Sequence, residues 1–150
     1  MTANLEQLQS WVGPLLLKLE PAQRTQLARQ LAQDLRRSQR QRIAAQQNPD
    51  GSAFEPRKPQ LRDKAGSIRR KAMFRKLRQN RYLKVKADAG AVEAGFFGRV
   101  ARLANVHQKG LHDRPRPGAP EVKYPQRELL GFSRDDLAMI ENNLINYLQL

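Results

Sequence analysis

Apolar residues recur every three or four positions in two stretches near the N-terminus of this 150-residue chain. The first stretch covers residues 5–19 and predicts an amphipathic helix. The second, over residues 21–47, begins with a proline, which suits the first turn of a helix. Leu27, Leu31 and Leu35 share one face there, and Arg and Gln fill the other. The pattern therefore predicts an N-terminal helical hairpin whose apolar stripes pack on the rest of the fold.

A different periodicity begins at residue 82. Residues 82–86 alternate with period two, and residues 91–97 return after an Asp-Ala-Gly turn, which predicts a β-hairpin. A helix is expected over residues 100–110, ended by its last residue, a glycine. Residues 121–126 predict a third short strand. A serine at the start of residues 133–148 is expected to cap a C-terminal helix.

These elements predict an α+β fold with a small antiparallel sheet and a β-hairpin, formed by a single domain over residues 1–150. Within it, residues 48–81 are expected to form a basic loop or arm. Asn-Pro-Asp-Gly at 48–51 has strong turn chemistry. Residues 52–66, rich in proline and glycine, predict an extended loop, and residues 67–80 predict a basic helix.

Charge changes the picture most in this middle region. The chain carries a formal net charge of +14, and residues 57–86 hold thirteen Lys/Arg and one acid. Residues 1–56 have seven bases and five acids, and residues 87–150 have eight of each. Such a block indicates an acidic partner, nucleic acid or protein, although a solvated, partly disordered arm is the alternative. The residues expected to contact the partner or DNA are Arg57, Lys58, Arg62, Lys64, Arg69, Arg70, Lys71, Arg75, Lys76, Arg78 and Arg81.

Candidate catalytic chemistry is sparse. The chain has no cysteine and two histidines, His107 and His112, with too few neighbouring carboxylates to suggest a metal site. His107, on the apolar face of its helix, is expected to be a hydrogen-bonded structural residue. Phosphate-binding loops and nucleophile-elbow motifs are absent. We therefore expect neither an enzyme nor a cofactor, and, without a signal peptide or a long apolar run, a soluble protein.

A resemblance emerges from the C-terminal half. GFFGRVARLANVHQKG, followed after a proline-rich loop by VKYPQRELLGFSRDD, resembles the virion morphogenesis or tail completion proteins of contractile-tailed phages, including Mu-like phages and prophages. The segments NPDGSAFEPRKP and SIRRKAMFRKLRQNRYLK are also similar to family segments, so the resemblance covers nearly the whole chain. The family motif residues, expected to be structural, are Gly98, His107, Gly110, Pro125, Arg127, Leu130, Gly131 and Phe132.

The resemblance implies a structural protein of the phage head–tail neck, located in the virion and assembled in the host cytoplasm. It implies a ring, frequently a homohexamer, that finishes the tail and enables stable head joining. The implied partners are further copies of the chain, the tail terminator or tail tube, and head-completion or connector proteins. DNA in the lumen is a secondary expectation, and no membrane partner is expected. The alternative is a nucleic-acid-binding protein that contacts phosphates through residues 57–86.

Overall fold

A computed structural model describes residue 10 and residues 13–58 and 72–148. Three helices and two pairs of short antiparallel strands are seen, so the predicted α+β class is confirmed. In chain order the elements are α1 (Pro21–Ala44), β1 (Leu83–Ala87), β2 (Val92–Phe96), α2 (Val100–Lys109), β3 (His112–Asp113), β4 (Val122–Lys123) and α3 (Arg134–Leu148). No helix in this described part is long and apolar enough to cross a membrane.

Helix α1 is the longest element, with 24 residues, and it begins at the proline that the sequence marks as a helix start. Just before it, the Glu20 amide donates to the Gln23 side-chain oxygen at 3.0 Å, which satisfies one amide that lacks a helical partner. Residues 13–16 are also helical. Leu16 and Leu19 pack against the apolar cluster that contains Leu27 and Leu35 of α1. Residue 10 is helical, residues 17–19 form turns where the helix was predicted to continue, and the rest of the predicted first helix lies outside the described residues.

The predicted β-hairpin is confirmed as the antiparallel pair β1 and β2, in which Leu83 lies opposite Phe96 and Ala87 opposite Val92. Helix α1 lies against both strands. The Arg36 guanidinium donates from Nε to the Leu83 carbonyl at 2.8 Å, so the helix also bonds the start of β1. Alternation along β1 buries Leu83 and exposes Lys84 and Lys86, as period two requires.

The interior contains two apolar clusters at different positions along α1. One joins Leu27 and Leu35 of α1 to Ile140 and Leu144 of α3. The other surrounds the C-terminal end of α1 and contains Ile43, Phe54, Met73, Leu77, Ala104 and Leu129. Because the second cluster draws residues from loops as well as helices, it fixes the irregular segments around the end of α1.

Two helix termini follow the sequence prediction. Helix α2 ends at Gly110, which adopts the left-handed conformation (φ 64°) and donates its amide to the Val106 carbonyl. The start of α3 is capped by Ser133, whose hydroxyl accepts the Asp136 amide at 3.0 Å. In return, the Ser133 amide donates to the Asp136 carboxylate at 3.0 Å. Asp136 is thus buried and hydrogen-bonded at the start of α3.

The predicted basic helix over residues 67–80 is wrong in its described part, because residues 72–82 form a series of turns. The Gln46 side chain bonds both backbone groups of Met73: Nε2 donates to the carbonyl at 2.9 Å, and Oε1 accepts the amide at 2.7 Å. Phe74 follows with a φ of 64°, a left-handed conformation that an α-helix does not tolerate. Burial of Met73 and Leu77 in the core therefore overrides local helix propensity.

The predicted strand over residues 121–126 is mostly wrong. Only Val122–Lys123 is a strand, and it pairs with His112–Asp113 in a separate two-stranded sheet. The predicted surface loop over residues 111–120 therefore begins with a strand. Residues beyond 123 run without regular structure toward α3, and their backbone groups bond side chains or the carbonyls of Leu111 and His107 instead of another strand.

Candidate functional site

Residues 124–131, here called the strap, lie between β4 and α3 and contain most of the C-terminal family motif. Side chains from three other segments satisfy the strap's backbone. Gln108 of α2 bonds Leu130 twice, accepting its amide at 2.9 Å and donating to its carbonyl at 2.8 Å. Asn48, from the Asn-Pro-Asp-Gly turn, accepts the Glu128 amide at 2.9 Å. The strap is thereby fixed without being part of a sheet.

Arg42 of α1 makes the densest set of these contacts. Its Nη1 donates to the Gln47 and Glu128 carbonyls at 3.1 and 2.9 Å, and its Nη2 donates to the Leu129 carbonyl at 2.9 Å. Nη2 also donates to the side chain of Gln39. Burial lowers the pKa of Arg42, opposed by the nearby charges of Asp136 and Glu128. The guanidinium nevertheless remains charged, and its two Nη groups donate inside the protein, whereas its buried Nε has no hydrogen-bond partner among the described residues.

Gln39 and Asp136 extend this network to α3. Gln39 accepts the Gly131 amide at 3.1 Å and donates to the Asp136 carboxylate at 3.2 Å. Ser38 donates to the other carboxylate oxygen. Asp136 is 1% exposed. Its buried carboxylate accepts these hydrogen bonds and thereby links α1, the strap and the cap of α3.

A second buried arginine, Arg127, lies in the strap itself. Its Nε donates to the Glu55 carbonyl at 2.7 Å and its Nη2 to the Pro56 carbonyl at 3.2 Å, so it holds the loop that precedes the basic segment. Its backbone amide donates to the His107 carbonyl at 2.8 Å. Burial lowers the pKa of Arg127. Arg127 therefore ties the strap to α2 and to the start of the basic region.

His107 is buried, as its place on the apolar face of the helix predicts. Burial first, and then the positive charges of Arg127 and Arg57, lower the pKa of His107 to about 4. Its Nδ1 lies 3.5 Å from Arg127 Nη1. Because a guanidinium only donates, this geometry requires Nδ1 to accept and places the proton of the neutral ring on Nε2. The imidazole also contacts the rings of Phe74 and Tyr124 edge-on, at centroid distances of 4.8 and 5.1 Å.

Of the remaining family motif residues, Gly131 and Pro125 belong to the strap, and Phe132 follows it directly. Gly131 packs on the turn proline Pro49: a Cβ at this glycine would lie 2.5 Å from Pro49 Cγ. Gly98 has a φ of 78° in the turn before α2, so backbone conformation and not close packing explains it. Pro125 is half-buried in the strap, whereas Phe132, just beyond it, is 46% exposed. Most of the C-terminal motif residues thus lie in the strap or next to it.

The basic residues gather instead around an open cleft of about 890 Å³ beside α2. Phe74, Leu77, Tyr82 and Leu103 form its apolar lining. None of its described lining residues is acidic. The cations that line it are Arg40, Arg57, Arg75, Lys76 and Arg78. In a concave, partly apolar site, such an excess of one sign strengthens the local potential and attracts anionic groups.

The structure brings together only some of the residues predicted to contact a partner. Arg57, Arg75, Lys76 and Arg78 line the cleft, whereas Lys58 and Arg81 are exposed without lining it. The Arg81 guanidinium lies 4.8 Å above the ring of Tyr82. The others lie outside the described residues: Arg62, Lys64, Arg69, Arg70 and Lys71.

A second cleft, of about 670 Å³, shares Leu103 with the first and was missed by the sequence reasoning. It is lined by two acids, Asp113 and Glu121, and by the bases Arg99, Arg102, Arg114 and Arg116. Averaging over residues 87–150 hides these arginines, because the balancing acids of that region are elsewhere in the sequence. A narrower count would have found them, since residues 99–116 hold five Lys/Arg and one acid.

Metal binding has no support in the part of the chain that the structure describes, where no group of three or more His, Cys, Asp or Glu side chains is placed to hold an ion. What the arrangement offers is a rigid, internally bonded strap next to a concave surface with excess positive charge. That combination suits recognition of an acidic surface by a structural protein.

Comparison with known proteins agrees with the resemblance found in the sequence. The chain matches the phage virion morphogenesis family over residues 3–149. It is similar to "Tail completion protein S" of Escherichia phage P2, with 39% identity over 137 residues that cover 90% of this chain and 91% of that protein. No solved structure matches it. On these grounds, the chain belongs to the phage virion morphogenesis family.

Proposed function

We propose that this chain is a structural tail completion protein that acts at the head–tail neck of a contractile-tailed phage or prophage. Copies of the chain form a ring, a homohexamer, which finishes the tail and enables stable joining of the head. The observation that carries this proposal is the similarity to a tail completion protein along nine-tenths of both chains. Because the similarity extends over nearly the full length of both chains, it supports a role shared by the whole chain and not by one segment alone.

Exposed apolar side chains support self-assembly. Among the described residues, Leu17 is 77% exposed, and Leu111, Val122 and Phe132 are between 38% and 46% exposed. Leu111 and Val122 belong to one corner of the fold, because the Tyr124 amide donates to the Leu111 carbonyl next to the β3–β4 pair. Single exposed apolar residues are ordinary, but two at one corner suit burial against another copy.

The basic cleft supports contact with a partner other than the chain itself. The ion pairs among the described residues are Arg37–Asp34 and Arg102–Asp113, so the five cations of the first cleft have no carboxylate partner there. The expected partners are the tail terminator or tail tube and the head-completion or connector proteins. The basic residues of the region from 57 to 81 are proposed to provide this contact.

Measurement of particle completion tests the function. In cells that produce the virion proteins, deletion of this chain should leave separate heads and unfinished tails in electron micrographs, and infectious yield should fall by several orders of magnitude. Expression of the chain in trans should restore the yield. Normal yields without the chain would contradict the proposal.

Solution size tests the ring. Sedimentation velocity of the purified chain, alone and with purified tails, should reveal a discrete assembly of several 17.2-kDa subunits. The Leu111→Ser variant should weaken that assembly while the circular dichroism spectrum stays unchanged. A chain that remains monomeric both alone and on tails would contradict the ring.

Nucleic-acid binding is the second candidate, and the cations of the first cleft are the observation that favours it. Phosphate contacts predict affinity that falls steeply with salt. A gel-shift titration with duplex and single-stranded DNA at 50 and 200 mM salt measures this slope. Sub-micromolar binding near physiological salt would favour the DNA-binding function, and its absence would favour the protein contact.

A further inference from the structure

Leu103 is 45% exposed in the middle of α2, whereas its neighbours Ala104, Val106 and His107 are buried. It is the one side chain that lines both clefts among the residues described for them. The two clefts therefore meet at Leu103. An exposed leucine alone is ordinary, so its position between two basic clefts is what gives it meaning.

Charge is strongly positive on both sides of this leucine. The first cleft has its five cations and no acid among the described lining residues. In the second cleft, Asp113 is already engaged, since it accepts from Arg102 at 2.7 Å and from the Arg114 amide at 2.8 Å. Glu121 is then left with Arg99, Arg114 and Arg116. A guest that spans both clefts must therefore carry a substantial excess of negative charge.

The aromatic lining argues against nucleobases as the guest. Base stacking needs exposed ring faces. The Arg81 guanidinium covers one face of Tyr82 at 4.8 Å, and Phe74 makes edge contacts with Phe54 and His107 at 5.8 and 4.8 Å. Phe74 thus belongs to the packed core, while the flexible aliphatic side chain of Leu103 is left open to solvent. A carboxylate-bearing guest with an aliphatic contact fits this lining better than a stacked base.

We propose that the two clefts and Leu103 form one docking groove for an acidic segment of another virion protein, which places an apolar side chain on Leu103 and carboxylates in both clefts. The proposal rests on the proposed tail completion function, which supplies the virion partner. It adds the second cleft and α2 to the region from 57 to 81 in which contact was expected.

Site-specific photo-crosslinking in particle-producing cells tests the groove. The Leu103→p-benzoylphenylalanine variant replaces an exposed side chain, and an unchanged circular dichroism spectrum verifies its fold. After irradiation, mass spectrometry identifies the cross-linked peptide. We expect a peptide of another virion protein with net negative charge.

Charge reversal on both sides provides the control. Adding Arg75→Glu and Arg116→Glu, one from each cleft, should reduce the cross-linked yield at least tenfold. The matched pair Lys18→Glu and Arg29→Glu changes the charge equally on exposed residues that line neither cleft, and it should leave the yield unchanged.

Several results would overturn the groove. A DNA adduct, a peptide of this same chain, a peptide without excess acid, or completed particles with no adduct would each contradict it. In the last case tail completion itself would stand. If deletion of the chain had no effect on particle yield, the groove and the proposed function would fall together.

Discussion

Arg40 and Arg42 lie two residues apart on the same helix but in opposite environments. Arg42 points into the protein, is 8% exposed, and bonds the carbonyls of the strap. Arg40 is exposed and lines the basic cleft. The difference teaches that positive charge serves two purposes in this chain: buried guanidinium groups stabilise irregular backbone, and exposed ones remain available for a partner.

The Arg42→Met substitution should have the largest effect on this comparison. It leaves three buried or partly buried carbonyls without this donor and removes one of the two donors to the Gln39 side-chain oxygen, so we expect a loss of about 3–5 kcal/mol in the free energy of unfolding. Urea denaturation followed by circular dichroism measures it. The matched Arg40→Met variant should change stability by less than about 0.5 kcal/mol. Equal losses in both variants would contradict the division between them.

His107 gives the buried region a pH dependence that the exposed cations lack. Because the unfolded chain binds this proton near pH 6.5 and the folded chain only near pH 4, acidification through that window favours unfolding. Between pH 7 and pH 5 we expect His107 to contribute a loss of about 2 kcal/mol. Denaturation of His107→Gln at the two pH values should show a correspondingly smaller loss, and His112→Gln should behave as the unaltered chain.

Gly131→Ala tests the contact between the strap and the Asn-Pro-Asp-Gly turn. The added methyl group would lie 2.5 Å from Pro49 Cγ, so the turn or the strap must shift. We expect a loss of about 1–2 kcal/mol by thermal denaturation. At Gly13 a Cβ meets nothing within 4 Å, and Gly13→Ala should cause no loss. An unchanged melting temperature for Gly131→Ala would mean that the contact carries no packing energy.

Gln108→Leu should have the smallest effect of the series. It removes both hydrogen bonds to Leu130, but the site is only partly buried and water can replace one of them. We expect a loss of about 1 kcal/mol. Hydrogen exchange at the Leu130 amide measures the local effect directly, and that amide should exchange at least several-fold faster. Unchanged protection there would exclude Gln108 as the group that holds the strap.

Much of the regular structure could be predicted from the sequence because its signals are local. Alternation predicts the hairpin, the left-handed glycine at 110 ends α2, and Ser133 caps α3. Each of these signals acts within a few residues. Local signals are less reliable where packing in the core determines the backbone conformation. At Phe74, for example, a left-handed backbone replaces the expected helix.

The strap and the second cleft depend on contacts between distant residues. No pattern within the strap shows that Gln108 and Arg42 will satisfy its backbone. Yet one signal was available in α1: Arg42 is seven residues after Leu35, and therefore on the apolar face of the helix. A cation at that position is expected to be buried and bonded. The arginines of the second cleft are seen in the sequence only when charge is counted over a stretch shorter than residues 87–150.

The central claim is that exposed cations beside α2 recognise a virion partner without stabilising the fold. The most direct measurement is the yield of infectious particles with Arg75→Glu, Lys76→Glu and Arg78→Glu combined, against the charge-matched combination of Lys18→Glu, Arg29→Glu and Arg134→Glu. We predict that the first variant folds normally, loses at least a hundredfold in yield and accumulates unjoined heads and tails, whereas the second retains full yield. Equal yields from the two variants would contradict the claim.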